Sequence, residues 1–368
     1  MAIFTDTDVA KPRRRRRGRA IGWIILVLAL AAAVIVGLMP APYVIEKPGP
    51  VYNTTGVTKV DGKWVPVLSI SGAKTYPTSG TLDMLTVNLD GSPGYPPSWA
   101  DIASAWFDPS QAVVPMDEIY APQETTKQSN EEGAAEMADS QQEATAAAFS
   151  EQHIKYASVV SVDSTIKGSP AAALLKVGDV LVSVNGKTFQ NSDQLHSLIV
   201  ANGTSKPMTL VLTRKGAEQT VQFTPEKTSN GATLGVYITQ KFSFPITVKI
   251  QLQDVGGPSA GMMFALGIID KLTPGELNGG KNIAGTGTIT AGGVVGAIGG
   301  IRQKMYGARN AGAKYFLAPA TNCGGTDGVR GHIPSGLTVY ATSTLTQSVT
   351  ILKAIETGNG LNKLKTCG

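Results

Sequence analysis

Gly257-Pro258-Ser259-Ala260-Gly261 decides how the chain is read. Upstream, Ile246, Val248, Ile250 and Leu252 alternate as in a half-buried strand; downstream, Met262, Ala265, Leu266, Ile269 and Leu272 recur at helical spacing. A strand, a glycine-rich turn, a serine and an apolar helix place a hydroxyl beside helix-end N–H groups. The backbone at Gly257, Ser259 and Ala260 is then a candidate oxyanion cradle. The competing reading is structural. Small residues in a tight turn let a helix pack closely, and spacing alone weighs the two equally.

Serine is a weak nucleophile at its own pKa and needs a base within hydrogen-bond reach. Lys304, forty-five residues on, is the candidate. In a helix from Ile301 to Ala311, Met305 and Ala308 share the face of Ile301, and Lys304 falls on that face, whereas Arg302 and Arg309 point away. A lysine among apolar neighbours loses hydration, which favours the neutral amine that a general base requires. The alternative is an ammonium that reaches the surface along its stem.

Working outward, the 368 residues suffice for two or three domains, and sparse aromatics with 42 glycines suggest a turn-rich α/β or α+β protein, read here as α+β and multidomain. The net charge of +5 lies entirely in the first 19 residues, where Lys11, Arg13 to Arg17 and Arg19 face Asp6 and Asp8, so it is no argument for nucleic-acid binding. Residues 1–19 read as a basic cytoplasmic tail and 20–41 as a transmembrane helix, with Trp23 and Tyr43 near the two interfaces and everything after Pro40 outside. A cleaved signal peptide is the alternative. Residues 42–123 form an extracytoplasmic, strand-rich segment, with strands over 65–70 and 85–89. Residues 124–154, rich in Ala, Glu and Gln, predict a helical connector, either solvated or packed through small residues only.

Residues 155–228 predict a compact β/α unit. Val159, Val160 and Val162 suggest a strand, and Ser169-Pro170-Ala171-Ala172-Ala173-Leu174-Leu175 opens a short helix. A strand over 177–184 ends in an Asn185-Gly186 hairpin turn, Ser192 caps a helix over 193–200, and a second hairpin turns at Lys215-Gly216. These elements, in this order, resemble a PDZ domain of bacterial proteases. Such domains bind an extended peptide as an added strand. The resembling carboxylate loop, Thr233-Leu234-Gly235-Val236, follows the unit instead of preceding it. A purely steric gate over the active site is therefore an equal alternative.

About residues 240–355, within an expected domain of 240–368, resemble the serine–lysine peptidase domain of the Lon family. The matching features are Gly257-Pro258-Ser259-Ala260-Gly261, Thr286-Gly287-Thr288-Ile289-Thr290, Val294, Ile298-Gly299-Gly300-Ile301-Arg302-Gln303-Lys304 and the strand-like Ala311 to Pro319. The resemblance implies Ser259 as nucleophile, Lys304 as base and Thr290 as the hydroxyl that holds the amine. Gly256 departs from the acidic residue usual before the motif in ATP-dependent members, and Asp254 is the candidate substitute. Anchor, PDZ unit and peptidase in this order resemble the membrane-bound, PDZ-containing Lon-like proteases of Gram-positive bacteria, in which the PDZ unit interrupts or precedes the peptidase fold. Strands from residues 64–90 are then expected in the peptidase sheet.

The expected function is an ATP-independent, membrane-inserted serine endopeptidase acting on extracytoplasmic or membrane-emergent polypeptides, without cofactor, metal or nucleic acid. A homo-oligomeric ring is implied by resemblance alone. Three other readings compete with this one. An α/β-hydrolase-like esterase would use Ser259, Asp327 and His332. Gly275 to Lys281 has P-loop spacing, but Asn282 stands where a magnesium-binding hydroxyl belongs. A non-catalytic peptide-binding scaffold would have no use for both Ser259 and Lys304. Cys323 and Cys367 are too few for a disulfide framework, and a single bridge between them or two free thiols are the two readings.

Overall fold

The structure is a computed structural model and describes residues 14–228, 231–325 and 328–368; the tail through residue 13 and Asp327 lie outside the described residues. Two compact units divide the chain, Met1–Glu46 with Leu89–Glu124, and Lys47–Asn88 with Thr125–Gly368. In chain order the elements used below begin with α1 (Arg14–Leu38), β1 (Tyr43–Asn53), β2 (Leu68–Ser71), β3 (Thr81–Asp90), α2 (Trp99–Ala105), β4 (Ala112–Pro115) and α3 (Thr126–Glu151). There follow β5 (Ala157–Thr165), β6 (Val180–Val184), α4 (Ser192–Asn202), β7 (Met208–Arg214), β8 (Ala217–Phe223), β9 (Val236–Ser243) and β10 (Thr247–Ile250). The last group is α5 (Gly261–Leu272), β11 (Asn282–Gly285), β12 (Thr288–Ile289), β13 (Val295–Gly296), α6 (Ile301–Asn310), β14 (Tyr315–Pro319), β15 (Thr338–Thr342) and α7 (Leu345–Thr357).

In the smaller unit, residues Ala20–Leu38 of α1 are long and apolar enough to cross a membrane, and side chains from Ile21 to Leu38 stand exposed. Residues 43–46 of β1 pair antiparallel with β4. Ser98 and Asp101 form a capping box that starts α2, whose inner residues Ile102 and Ala105 pack with Ala41 and Ile45.

In the larger unit, the sheet runs β15-β14-β11-β3-β1, with β3, β11, β14 and β15 mutually parallel along that order. A separate antiparallel pair joins β2 to β10. Of the strands expected from residues 64–90, β3 joins this sheet beside β11, whereas β2 pairs with β10 apart from it. Helix α5 is buried nearly all round, from Met262 to Ile269, and starts at Gly261, leaving Ser259 and Ala260 in the preceding turn. Helix α3 is no solvated connector. Ala144, Ala146, Ala147 and Ala148, with Met137 and Phe149, form one core with α5, small side chains allowing close approach.

Between α3 and β10 lies the PDZ-like unit, with strand order β8-β7-β6-β5-β9. The hairpin turns fall as read, with positive φ at Asn185, Gly186, Lys215 and Gly216. Three expectations change. Residues 170–175 form overlapping turns, closed by Leu175 N–H to the Ala171 carbonyl, and no helix. The cap of α4 is Asn191, which accepts from the Gln194 N–H, and not Ser192. The unit does not stop at residue 228, because β9 pairs antiparallel with β5 along its length and places Thr233 to Val236 at the head of the sheet's edge strand. Asp179, of the Lys176-Val177-Gly178-Asp179 element, is held below the usual carboxylate range by hydrogen bonds from Arg214 Nε and Nη2 at 2.7 and 2.6 Å. These contacts tie the loop before β6 to β7.

Candidate active site

The serine loop is positioned from three sides. Helix α3 supplies the first. Gly133 presents its carbonyl to the Gly257 N–H at 2.8 Å, and Ser140 Oγ donates to the Pro258 carbonyl at 2.9 Å. A Cβ on Gly256 would meet Gly133 backbone atoms at 3.1 to 3.3 Å, so the loop lies backbone against backbone on the helix. The departure at position 256 fits this contact, since a side chain there would press the loop away from the helix backbone.

The second side is the segment before β12. Gly287 N–H and Thr286 Oγ1 both donate to the Ser259 carbonyl at 2.9 Å, and Met262 N–H donates to the Gly287 carbonyl at 3.0 Å. Gly261 is required beneath this clamp, because a Cβ would lie 2.7 Å from Ser140 Oγ and 2.9 Å from Ile289 Cγ2. The serine backbone is thus fixed, while its hydroxyl is left to face the third side.

That side is α6. Gly300 starts it in the left-handed region at φ +64°, with Val87 Cγ2 2.5 Å from where a Cβ would be, and accepts the Lys304 N–H at 3.0 Å. Ile301, Met305 and Ala308 face the core as the spacing predicted, and Lys304 lies with them at 3% exposure. It does not reach the surface along its stem. Its Nζ stands 2.8 Å from Ser259 Oγ and 3.4 Å from Thr286 Oγ1.

The remaining expected site residues fare differently. Thr290 does not take the place the resemblance gave it. Its Oγ1 accepts the Val294 N–H at 3.1 Å, closing the turn between β12 and β13, and Thr286 is the hydroxyl beside Lys304. Thr286 is 1% exposed. Gly257 leaves the oxyanion set because its N–H is committed to Gly133. Among the described residues, no acceptor takes the N–H of Ser259 or Ala260, which precede the first turn of α5. Asp254 is exposed in the left-handed region at φ +57° and stands apart from the Ser259–Lys304–Thr286 contacts. His332 is bonded through Nδ1 to the Gly328 carbonyl at 2.9 Å, while Ser259 Oγ faces Lys304; Asp327 lies outside the described residues. Lys281, in the P-loop-like stretch, donates to the carbonyls of Ile355 and Glu356 at the end of α7, where a cation complements the helix dipole. Cys323 and Cys367 are joined as a disulfide.

The residues the sequence did not single out are Thr286, Gly133 and Ser140. A lone glycine within an otherwise Ala/Glu/Gln helix was the available signal for Gly133, since such a residue marks close backbone approach. The turn after Ile289 is also gripped by the PDZ-like unit: Asp193, in the first turn of α4, accepts the Gly292 N–H at 3.0 Å. Beside it, Glu143 of α3 accepts from Ala291, and its Oε2 is buried without a hydrogen bond among the described residues. Burial first, and the negative charges of Asp193 and Asp139 after it, push this carboxyl up to about 7.

Residues 252–355 match the Lon protease (S16) C-terminal proteolytic domain, and residues 135–224 match the PDZ domain. The latter match begins inside α3 and stops before β9. Lon protease 1 of Sorangium cellulosum is 37% identical over 93 residues, 25% of this chain and 11% of that protein. The Lon protease of Fusobacterium nucleatum is 38% identical over 88 residues, 24% and 11% of the two chains. That of Mesomycoplasma hyopneumoniae is 46% identical over 66 residues, 18% and 7%. This chain therefore spans about a tenth of the length of the curated relatives it matches. Among solved structures, the PDZ domain of an SdrC-like protein from Listeria monocytogenes is 18% identical, covering 22% of this chain and 85% of its own, with a TM-score of 0.21. Residues 252–355 are thus similar to the proteolytic domain of Lon proteases (S16) and hold a serine and a lysine in contact, in a chain that also matches the PDZ domain over residues 135–224.

Proposed function

We propose that this protein is a membrane-anchored serine endopeptidase that works without ATP on extracytoplasmic or membrane-emergent polypeptides. The observation that carries the reading is the 2.8 Å contact between Ser259 Oγ and the buried Lys304 Nζ. Thr286 supports an assignment of protons. Its own hydroxyl hydrogen goes to the Ser259 carbonyl, so toward Lys304 it acts as acceptor and takes an amine N–H. With one N–H given to Thr286, a neutral amine can turn its lone pair to the Ser259 hydroxyl at 2.8 Å.

Ser259 Oγ bonds to the peptide carbonyl carbon as its proton passes to Lys304. The N–H groups of Ser259 and Ala260 receive the oxyanion, worth about 3–4 kcal/mol for a donor of this kind. Lys304 returns the proton to the amide nitrogen, the C–N bond breaks, and an acyl-enzyme remains. Water then attacks the acyl carbon with Lys304 again as base, the ester C–O bond to Ser259 breaks as Lys304 returns the proton to Ser259 Oγ, and the new carboxylate leaves.

The outside placement is supported by the arginine-rich stretch ahead of the apolar run Ala20–Leu38 and by the Cys323–Cys367 bridge, a bond suited to an oxidising compartment. Selection of substrates through the PDZ unit is supported by β9, an edge strand whose Leu234-Gly235-Val236 segment heads it and which could receive an extended peptide. Incubation of the full chain with an unfolded protein, without nucleotide, tests the proposal. Cleavage is expected, and is expected to vanish in Ser259→Ala and in Lys304→Arg, whose guanidinium stays protonated. Cleavage that survives both substitutions would refute the dyad.

A further inference from the structure

We propose that the outer face of α2, together with Trp106 and Phe107 that follow it, lies in the headgroup layer of the bilayer that α1 enters. The inference rests on reading α1 as a membrane span, and uses only residues of the smaller unit.

Helix α2 is bound to the exit of the span. Trp99 N–H donates to the Met39 carbonyl at 3.1 Å, Ala41 N–H donates to the Pro97 carbonyl at 2.8 Å, and Pro40 bridges to Ser98. A Cβ on Gly37 would lie 3.7 Å from the Ala100 Cβ, so the first turn of α2 abuts the next-to-last residue of the apolar helix. The depth of α2 is thereby tied to the point where α1 reaches the polar boundary.

The side chains divide accordingly. Ile102 and Ala105 face inward onto Ala41 and Ile45. Trp99, Ala103 and Trp106, at helical spacing, form the opposite, exposed face. Trp106 is 66% and Phe107 89% exposed, and the nearby Tyr95 is 84% exposed. Trp99 also stands edge to face with Tyr43, ring centroids 5.8 Å apart. Large aromatic side chains concentrated beside a span exit suit the interface, which accepts an apolar body with a polar tip. The two acidic groups of the segment are folded back: Asp101 takes the Ser98 N–H and hydroxyl, and Asp108 takes the Ser110 N–H and hydroxyl and the Gln111 amide. The occupant of this face is thus the zwitterionic headgroup region of a membrane.

The test uses the full chain in phosphatidylcholine vesicles whose acyl chains are brominated near the headgroup, in a variant whose only tryptophan is Trp106 (Trp23→Phe, Trp64→Phe, Trp99→Phe). Strong quenching and a blue-shifted maximum are expected. A companion chain whose only tryptophan is Trp23 reports the span itself. Trp106 unquenched while Trp23 is quenched overturns the surface contact and leaves the span standing; Trp23 unquenched overturns both. If the multiple variant does not fold, Trp106→Ser with Phe107→Ser in the native background replaces it. That variant should lose part of the bromine quenching seen in the unaltered chain, and unchanged quenching would overturn the proposal.

Discussion

The hydroxyl of Thr286 stands 3.4 Å from the amine of Lys304 and donates its own hydrogen to the Ser259 carbonyl at 2.9 Å. One side chain thus contacts both the proposed base and the backbone of the proposed nucleophile. Thr286→Val keeps the shape and removes both bonds, and turnover of a peptide substrate should fall by about a hundredfold, the scale of a misplaced catalytic group. Thr286→Ser should restore most of it. Equal losses in the two variants would mean that packing, and not the hydroxyl, matters here.

Gly256 and Gly257 are neighbours with different constraints. A Cβ at Gly256 meets the Gly133 backbone at 3.1 to 3.3 Å, whereas at Gly257 nothing lies within 4 Å and only the positive φ of 82° resists a side chain. Gly256→Ala should destabilise by about 1–3 kcal/mol as the loop is pushed off α3. Gly257→Ala should cost about 1–2 kcal/mol through backbone strain alone. Because the first variant displaces the serine loop, its cleavage rate should fall further than its stability does, measured at a temperature where both variants stay folded.

Glu143 gives the stability a pH dependence of known sign. Its carboxyl is pushed up to about 7 in the folded chain from 4.5, so the folded state binds the extra proton between those values. Its contribution to stability is therefore complete below the unfolded value and is lost as pH rises through about 7. Glu143→Gln should flatten thermal melting against pH across that window and raise the melting temperature above it. A pH profile unchanged by the substitution would assign the dependence to other groups.

The disulfide between Cys323 and Cys367 spans 44 residues and fastens the chain end beside β14 and β15. A loop of that length stabilises by up to about 4 kcal/mol through the unfolded chain. Denaturant unfolding with and without reductant should separate by about that amount. In the Cys323→Ser, Cys367→Ser double variant the two curves should coincide.

Local signals carried much of this architecture. The apolar run of α1, the turns at Asn185-Gly186 and Lys215-Gly216, and the buried face of α6 were all legible, because each depends on neighbours within a few residues. The turns at residues 170–175 were misread because proline, alanine and leucine are equally at home in a short helix. The place of β9 was missed for a different reason. Its partner β5 lies some seventy residues earlier, and alternation alone does not name the strand it joins.

What the sequence by itself determined was which two residues to pair, Ser259 and Lys304, and the structure brings them into contact. A serine in a glycine turn and a lysine on an apolar helix face are written in residue type and periodicity. Only the tertiary structure decided what surrounds them: Thr286 over Thr290, Gly133 at the N–H of Gly257, and α3 packed in the core. Those choices depend on which backbone groups are already paired once distant segments meet, and a buried polar group is committed by geometry that no local pattern contains.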